Sequence, residues 1–430
     1  MGPSSSARAP RSAWGRSSRA ASRPVPPSSG IPHANAEQQA KAAPGNPREP
    51  MLLHLVIDSK FIDIAVREFE VAAPGRNRYL FLGGGEARRF IRRPEVENIG
   101  ARACRELLAT GDYEALILHS LPAGESLLRH VPPGPRVLWI GWGYDYYRGA
   151  LAGAVISAPQ IMPETAALLA PLDRRPFGLH HLRRAAGALL RSLDRGQKER
   201  LGRVDYFSPV LDVEFERISS NVPGFEARYL EWNYGVAELD LMPEQELDVA
   251  RADAILVGNS ATPENNHVEV FRALAASPGA RGREVIVPLS YGREDYRDAV
   301  IEAGRRLLGD DFHPLMEVMP LADYNALLQR CGFAVMNHVR QQGVGNVVTI
   351  MLAGGRVFLN PESPVLEWMR RRDAIVLGTD ALQSDPAAFE PLGEEERARN
   401  RVVVMRQWGT EVQRRKTAHL LAVLSGESAP

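Results

Sequence analysis

The chain has only two cysteines, Cys104 and Cys331, in 430 residues. That is too few for a disulfide framework or a thiolate zinc site, and it fits a reducing compartment in which both thiols are buried as small apolar side chains. An excess of either charge is also lacking. Lys plus Arg and Asp plus Glu each number 52, which excludes a protein whose main task is coating nucleic acid and leaves nucleic acid off the expected partners. No apolar run reaches the roughly 18–20 residues that cross a bilayer, so any membrane contact is expected to be peripheral. No G-x-G-x-x-G follows the first strand-like run. Gly83-Gly84-Gly85 follows the second, in the wrong context for a dinucleotide fingerprint, which disfavours a dehydrogenase.

The first 50 residues have almost no large apolar side chains and no helical or strand period, so they cannot bury enough surface to fold. Arg8, Arg11, Arg16, Arg19 and Arg23 give the stretch the charge of an organellar transit peptide. Proline interrupts it, no clean amphipathic face forms, and no apolar core of a secretory signal follows. The expectation is a disordered extension, or a leader read from an upstream start with the protein proper beginning near Met51.

What is present begins at Met51. Leu52 to Ile57, Arg78 to Leu82, Ala115 to Leu118 and Val137 to Ile140 are short apolar runs of the kind that form buried parallel strands. A second series follows at Ala254 to Val257, Glu284 to Val287, Phe333 to Met336, Val357 to Leu359 and Ala374 to Leu377. Helix-compatible stretches separate its members, notably Asn266 to Ala276, Tyr296 to Leu308 and Leu321 to Arg330. Alternation of this kind predicts an α/β protein of two Rossmann-like parallel-sheet domains facing across a cleft. The expected division is an extension over 1–50, domains over 51–240 and 241–400, and a C-terminal helix and tail over 401–430. Arg399 to Leu424 reads as that helix, with Gln407-Trp408 placed to cap the domain pair.

Between the two series, 173–203 interleaves Arg174, Arg175, Arg183, Arg184, Arg191, Arg195, Lys198 and Arg200 with Phe177 and leucines at helical spacing. The pattern suits a helix lying on an anionic membrane surface, and equally a helix packed on its own domain with its charges solvated.

The sharpest local signal is Arg340-Gln341-Gln342-Gly343-Val344-Gly345-Asn346, which joins the strand ending at Met336 to an apolar helix. A glycine turn at a helix start lets backbone N–H groups approach an anion, and the helix N-terminus adds about half a positive charge. A diphosphate fits such a turn. Arg340 is a candidate to neutralise a phosphate, and Gln341 or Gln342 to donate to phosphate or sugar oxygens. Glycines at such turns also serve tight packing alone.

Four ordered motifs carry a family resemblance. Ile255-Leu256-Val257-Gly258-Asn259-Ser260 is followed by Glu264-Asn265-Asn266-His267, then by Val285 to Tyr291 (VIVPLSY), by Asp323 to Cys331 with Val339 to Gly345, and by Phe358-Leu359-Asn360-Pro361-Glu362-Ser363-Pro364. Together these resemble the TDP-N-acetylfucosamine:lipid II N-acetylfucosaminyltransferases of enterobacterial common antigen synthesis. In the first half the similarity is confined to His119 after a strand and to Trp139 to Tyr147, where Ile140 stands in place of the family's histidine; 150–203 is unlike the family.

The resemblance implies a GT-B glycosyltransferase that takes a TDP-sugar in its C-terminal domain and presents a lipid-linked, undecaprenyl-diphosphate saccharide acceptor from its N-terminal domain. It further implies peripheral attachment at the cytoplasmic face of a bacterial inner membrane. Asn259, Ser260, Tyr291, Arg340, Gln341, Gln342, Gly343, Gly345 and Asn346 are then the candidate donor-binding residues. Asn259-Ser260 is also a fit helix cap, and Tyr291 either stacks on the base or packs. GT-B enzymes stabilise the leaving diphosphate with a helix dipole and basic side chains, and the sequence has no D-x-D pair in a suitable loop, so neither metal nor cofactor is expected.

An inverting transfer needs a proton acceptor. Asp145 is one candidate, beside an aromatic cluster of Trp142, Tyr144, Tyr146 and Tyr147 suited to a sugar-stacking wall; it fits a helix cap or an ion pair with Arg148 as well. His119 is the second, with an ordinary pKa near 6.5. Asp58 is a weaker third. Alternatives at the level of function are a related O-antigen or capsule transferase using another nucleotide sugar, and a non-catalytic sugar-nucleotide-binding protein.

Overall fold

The computed structural model describes residues 51–83, 87–121, 125–147, 151–173, 201–241 and 252–427. The N-terminal extension, Gly84-Gly85, Arg148 and nearly all of the Arg-rich stretch, residues 174–200, lie outside them.

Two all-parallel sheets form the frame. The first orders its strands β3-β2-β1-β4-β5-β6-β7, with β1 Leu52–Val56, β2 Asn77–Phe81, β3 Val96–Asn98, β4 Ala115–Leu118, β5 Arg136–Ile140, β6 Tyr206–Ser208 and β7 Arg228–Tyr229. The second orders them β10-β9-β8-β11-β12-β13, with β8 Ala254–Val257, β9 Val285–Pro288, β10 Phe312–Leu315, β11 Cys331–Met336, β12 Arg356–Leu359 and β13 Leu377–Gly378. Each is the doubly wound order expected of a Rossmann-like unit, and the first carries one further edge strand. Both central strands are buried throughout, as their apolar runs, broken only by His54 in β1, require.

Sequence reading missed β3, β6, β7 and β10. These are two to four residues long, at or near sheet edges, and read VEN, YFS, RY and FHPL, without a sustained apolar run. The last expected strand is also displaced: Ala374 and Val376 are buried in the core, but pairing starts only at Leu377.

Helices alternate with the strands: α1 Lys60–Ala72, α2 Ala101–Thr110, α3 Ala152–Val155, α4 Pro163–Leu169, α5 Asp212–Asn221, α6 His267–Ala276, α7 Glu294–Leu308, α8 Leu321–Leu328, α9 Val344–Ala353, α10 Pro364–Arg371, α11 Ala381–Ser384, α12 Glu394–Trp408 and α13 Thr410–Ser425. The single helix expected over 399–424 is therefore two. The break falls at Gly409, whose extended backbone (φ −65°, ψ 151°) ends α12 and starts α13.

Two elements cross between the lobes. Helix α4 precedes the second sheet yet packs on it: Leu169 joins the cluster of Phe271, Val285 and Phe333, and the Thr165 amide and hydroxyl both donate to Glu269, at 2.9 and 2.6 Å. Helix α13 returns to the first sheet and places Leu420 and Leu424 against Ile62, Val66 and Phe69 of α1. At the junction ahead of it, Trp408 belongs to the second core while the Gln407 amide donates to Glu231 just beyond β7, so this pair bridges the lobes. Cys104 and Cys331 are buried free thiols whose pKa values burial pushes up to about 11 and 12. Among the described residues no helix is long and apolar enough to cross a membrane.

Candidate functional site

In a doubly wound sheet the chain leaves neighbouring central strands in opposite directions, and a crevice opens beyond their carboxyl ends. In the second sheet that point lies between β8 and β11. Gly258 leaves β8 at φ +67°, where a side chain would be strained and its Cβ would lie 2.4 Å from the Asn265 amide oxygen. That oxygen accepts the Asn259 backbone N–H at 2.8 Å and faces His338 Nε2 at 2.9 Å, so one buried asparagine ties the two strand ends together.

Above this floor Gln342 Nε2 donates to Asn259 Oδ1 (2.9 Å) and Thr262 Oγ1 (3.2 Å), and the Ser260 hydroxyl donates to Asn259 Oδ1 (3.3 Å). The Asn259 side-chain nitrogen lies 3.6 Å from the position a Cβ on Gly343 would take. Gly343 caps α9 at φ +68°, and Gly345, one residue into the helix, is exposed, with only Leu241 near the space a Cβ there would enter, at 3.9 Å. Among the described residues nothing plugs the mouth of α9 at Gly345. Asn346 donates to the Tyr324 hydroxyl at 3.0 Å, and Tyr291, 58% exposed, stands at the end of β9 close to Tyr324. Arg340 is buried below the turn and donates to the Gln341 carbonyl at 3.0 Å.

In the first sheet the loop after β5 is organised by Asp145. One carboxylate oxygen accepts from the Trp139 indole N–H (2.8 Å) and the Leu121 amide (3.4 Å), and the other from the Trp142 amide (2.8 Å). Burial raises its pKa to about 6, against the lowering effect of those donors. Asp58 instead caps a surface turn, accepting the amides of Arg89, Phe90 and Ile91 at 2.7 to 3.1 Å. His119 is fully enclosed: Nε2 faces His54 Nδ1 at 3.0 Å and Nδ1 faces the Tyr234 hydroxyl at 2.6 Å.

The expected aromatic wall is half corrected. Tyr146 and Tyr147 are buried, and both donate to Glu214, at 2.7 and 2.6 Å, which removes them from any ligand-facing surface. Trp142 and Tyr144 remain half-buried at the strand ends, and Phe61 and Tyr234 join them; Trp142 and Tyr234 have ring centroids 4.7 Å apart, and Phe61 meets Trp142 at 5.4 Å.

The lobes meet where these two loops converge. Gly143, at φ +87°, lies so close to Gln341 that a Cβ on it would stand 2.2 Å from Gln341 Oε1. The Tyr147 hydroxyl has the Gln341 backbone amide beside it. Gln341 therefore leans on the first lobe, while Asn259, Ser260, Gln342 and Gly343 gather around the mouth of α9. Sequence reading missed His54, Phe61, Glu214, Tyr234, Asn265 and His338. Two left a trace: Asn265 stands in the Glu264 to His267 motif without a role of its own, and His54 is the one polar residue within the apolar run of β1.

Residues 195–388 match the family described as 4-alpha-L-fucosyltransferase, glycosyl transferase group 56. The matched stretch holds β6, β7 and every strand of the second sheet. In fold the chain resembles HepE of Anabaena in complex with UDP and glucose, at 13% identity over 87% of this chain and 100% of that one with a TM-score of 0.54. It also resembles sucrose-phosphate synthase of Thermosynechococcus elongatus (13% identity, 88% and 100% covered, TM-score 0.58). A glycosyltransferase of Rickettsia africae is similar at 11% identity, 89% and 100% covered, TM-score 0.57. The architecture is GT-B and the chain is a glycosyltransferase; its similarity to the fucosyltransferase family covers residues 195–388, a little under half of its length.

Proposed function

We propose that this glycosyltransferase moves an amino-deoxyhexose, N-acetylfucosamine or a close relative, from a TDP carrier onto an undecaprenyl-diphosphate-linked saccharide during surface polysaccharide synthesis. The observation that carries the reading is the contact of Gly143 with Gln341, because it sets an acidic, aromatic loop of one lobe directly against the open helix mouth of the other. The motif resemblance supports the sugar and acceptor. The matched family segment and a fold relative that holds UDP and glucose support a nucleotide-sugar donor.

On this reading the diphosphate lies at the N-terminus of α9. Backbone amides beyond Gly343 and the helix dipole stabilise its charge as the bond from the sugar C1 to the phosphate oxygen breaks. Asn259 and Gln342 hold phosphate or sugar oxygens, Arg340 adds positive charge from below, and Tyr291 and Tyr324 flank the base. As the acceptor oxygen bonds to C1 its proton passes to a carboxylate. Asp145 fits that role: one of its oxygens accepts the Trp142 amide, and burial brings its proton affinity close to neutrality. The enzyme is expected to work from the cytoplasmic face of the inner membrane as a peripheral protein.

A panel of nucleotide sugars tested by calorimetry and thermal shift checks the donor. TDP-N-acetylfucosamine is expected to stabilise the protein most, since a ligand bound only to the native state raises the unfolding midpoint. Selective stabilisation by a different sugar nucleotide would reassign the donor. Silence across the panel from folded protein would remove the reading.

A further inference from the structure

The row Asn77, His54, His119, Tyr234 and Trp142, buried at its two imidazoles, has one arrangement of protons. Asn77 Nδ2 donates to the Phe69 and Ala73 carbonyls at 3.2 and 2.7 Å and to Glu70 at 3.0 Å, so the amide is fixed with Oδ1 towards His54 Nε2, 3.2 Å away. An amide oxygen only accepts, which puts the His54 proton on Nε2 and leaves Nδ1 as a lone pair. Across 3.0 Å, His119 Nε2 must then carry a proton, and its Nδ1 must be bare. The Tyr234 hydroxyl, 2.6 Å from Nδ1, has to donate inward. The far end agrees: the Trp142 indole N–H, which can only donate, reaches the Tyr234 oxygen at 3.1 Å.

The surroundings keep this direction fixed. His54 sits between Phe69 and Tyr79 with ring centroids at 4.7 and 4.5 Å, and His119 lies edge-on to Phe69 and Trp232. Burial in that sheath lowers both imidazole pKa values, His54 to about 3, so both rings stay neutral and neither reverses its hydrogen bonds by taking a second proton. The next residue, Ser120, is held at φ +117°, a strained backbone for a side-chain-bearing residue, with its hydroxyl 2.8 Å from that of Tyr144. Strain at such a residue persists only where surrounding contacts enforce it.

We propose that His119, backed by His54 and Asn77, is a positioning residue that turns the Tyr234 hydroxyl proton inward, so that the Tyr234 oxygen offers the cleft a lone pair and receives the hydrogen bond of the sugar hydroxyl that is to be glycosylated. Trp142 links this oxygen to the reaction, since its indole N–H binds Tyr234 while its backbone amide binds Asp145. A hydroxyl held on Tyr234 is thereby set beside the carboxylate. No proton needs to travel along the row, and His119 touches no substrate. This inference rests on the first lobe being the acceptor side.

The test uses the full chain in two arms. In the first, transfer from TDP-N-acetylfucosamine to a short-chain polyprenyl-diphosphate disaccharide is measured for Tyr234→Phe, His119→Asn and His119→Gln, together with donor affinity. Asparagine keeps an acceptor near the Nδ1 position, whereas glutamine places its amide near Nε2. Tyr234→Phe and His119→Gln should lose at least tenfold in kcat/KM for the acceptor with donor Kd unchanged, and His119→Asn should recover most of the activity. Equal loss in both His119 variants would overturn the positioning role, as would wild-type turnover in Tyr234→Phe, whose ring packing is retained. The second arm needs no substrate: imidazole ¹⁵N resonances should show both His54 and His119 as neutral Nε2–H tautomers, with the His119 Nδ1 signal alone moving in Tyr234→Phe. An Nδ1–H tautomer at His119 would sink the inference even if the donor were another sugar, and an inactive wild type with the expected tautomers would fault the substrate reading instead.

Discussion

Arg67 on α1 grips Asp240 with both terminal nitrogens, at 2.8 and 2.7 Å, and so ties the first lobe to the turn that approaches the mouth of α9. The same carboxylate accepts the Val236 amide at 2.8 Å, and Leu241 next to it is the neighbour of Gly345. Because the pair is largely shielded, Arg67→Ala should cost about 1–3 kcal/mol, within the range for charge-assisted hydrogen bonds at partly buried sites. Arg67→Lys should regain only part of that, since an ammonium cannot make the two-pronged contact. Urea denaturation measures both, and indistinguishable variants would show the fork to be idle.

Gly345 offers a direct probe of the anion site. Among the described residues a leucine there meets little besides Leu241, so Gly345→Leu should leave the unfolding midpoint almost unchanged while filling the space before the helix amides. Donor affinity is expected to fall at least tenfold, about 1.4 kcal/mol. Unaltered nucleotide binding by calorimetry would move the diphosphate elsewhere.

At Gly258 the opposite balance holds. Gly258→Ala adds a side chain in a left-handed backbone and drives it into Asn265, so both stability and donor binding should drop together, the former by about 1–3 kcal/mol. A folded variant of wild-type stability would show that the turn can rearrange.

Asp145→Asn separates catalysis from binding. Turnover should fall by at least a hundredfold, in the range of general-base contributions, with donor Kd intact. A variant that still transfers sugar at a tenth of the normal rate or better would hand the proton to another group.

Glu214 gives a pH signature. Burial foremost raises its pKa from the ordinary 4.5 to about 7, so in the folded protein it holds a proton over a window in which the unfolded chain has released it. Stability from this group is complete below pH 4.5 and is lost as pH rises towards 7, by about 1–3 kcal/mol. Asp145, raised to about 6, adds a smaller effect of the same sign. Glu214→Gln should flatten most of the slope between pH 5 and 7.5 in thermal unfolding; an unchanged slope would refute the assignment.

The sheets were legible where buried strands carry apolar runs of four residues or more, as in β1, β4, β5, β8, β9 and β11; β6, buried but only three residues long and reading YFS, was not. The edge strands were not, since β3 and β7 are mostly exposed and short. In the site, Asn259, Ser260, Gln342 and Gly343 could be read because all follow strands at a switch point, where local order fixes location. Tyr234 and Glu214 could not. Their roles come from partners 115 and 68 residues away, His119 and Tyr146, and no local pattern encodes such a meeting. Tyr146 and Tyr147 misled for the same reason: a tyrosine pair looks identical in sequence whether it faces sugar or a buried carboxylate.

The return of α13 onto α1 has a consequence for biogenesis. As the ribosome extends the chain, Ile62, Val66 and Phe69 emerge early, yet the leucines that cover them are made only after the whole second sheet. That flank of α1 is therefore completed only when the last helix has been made and has docked.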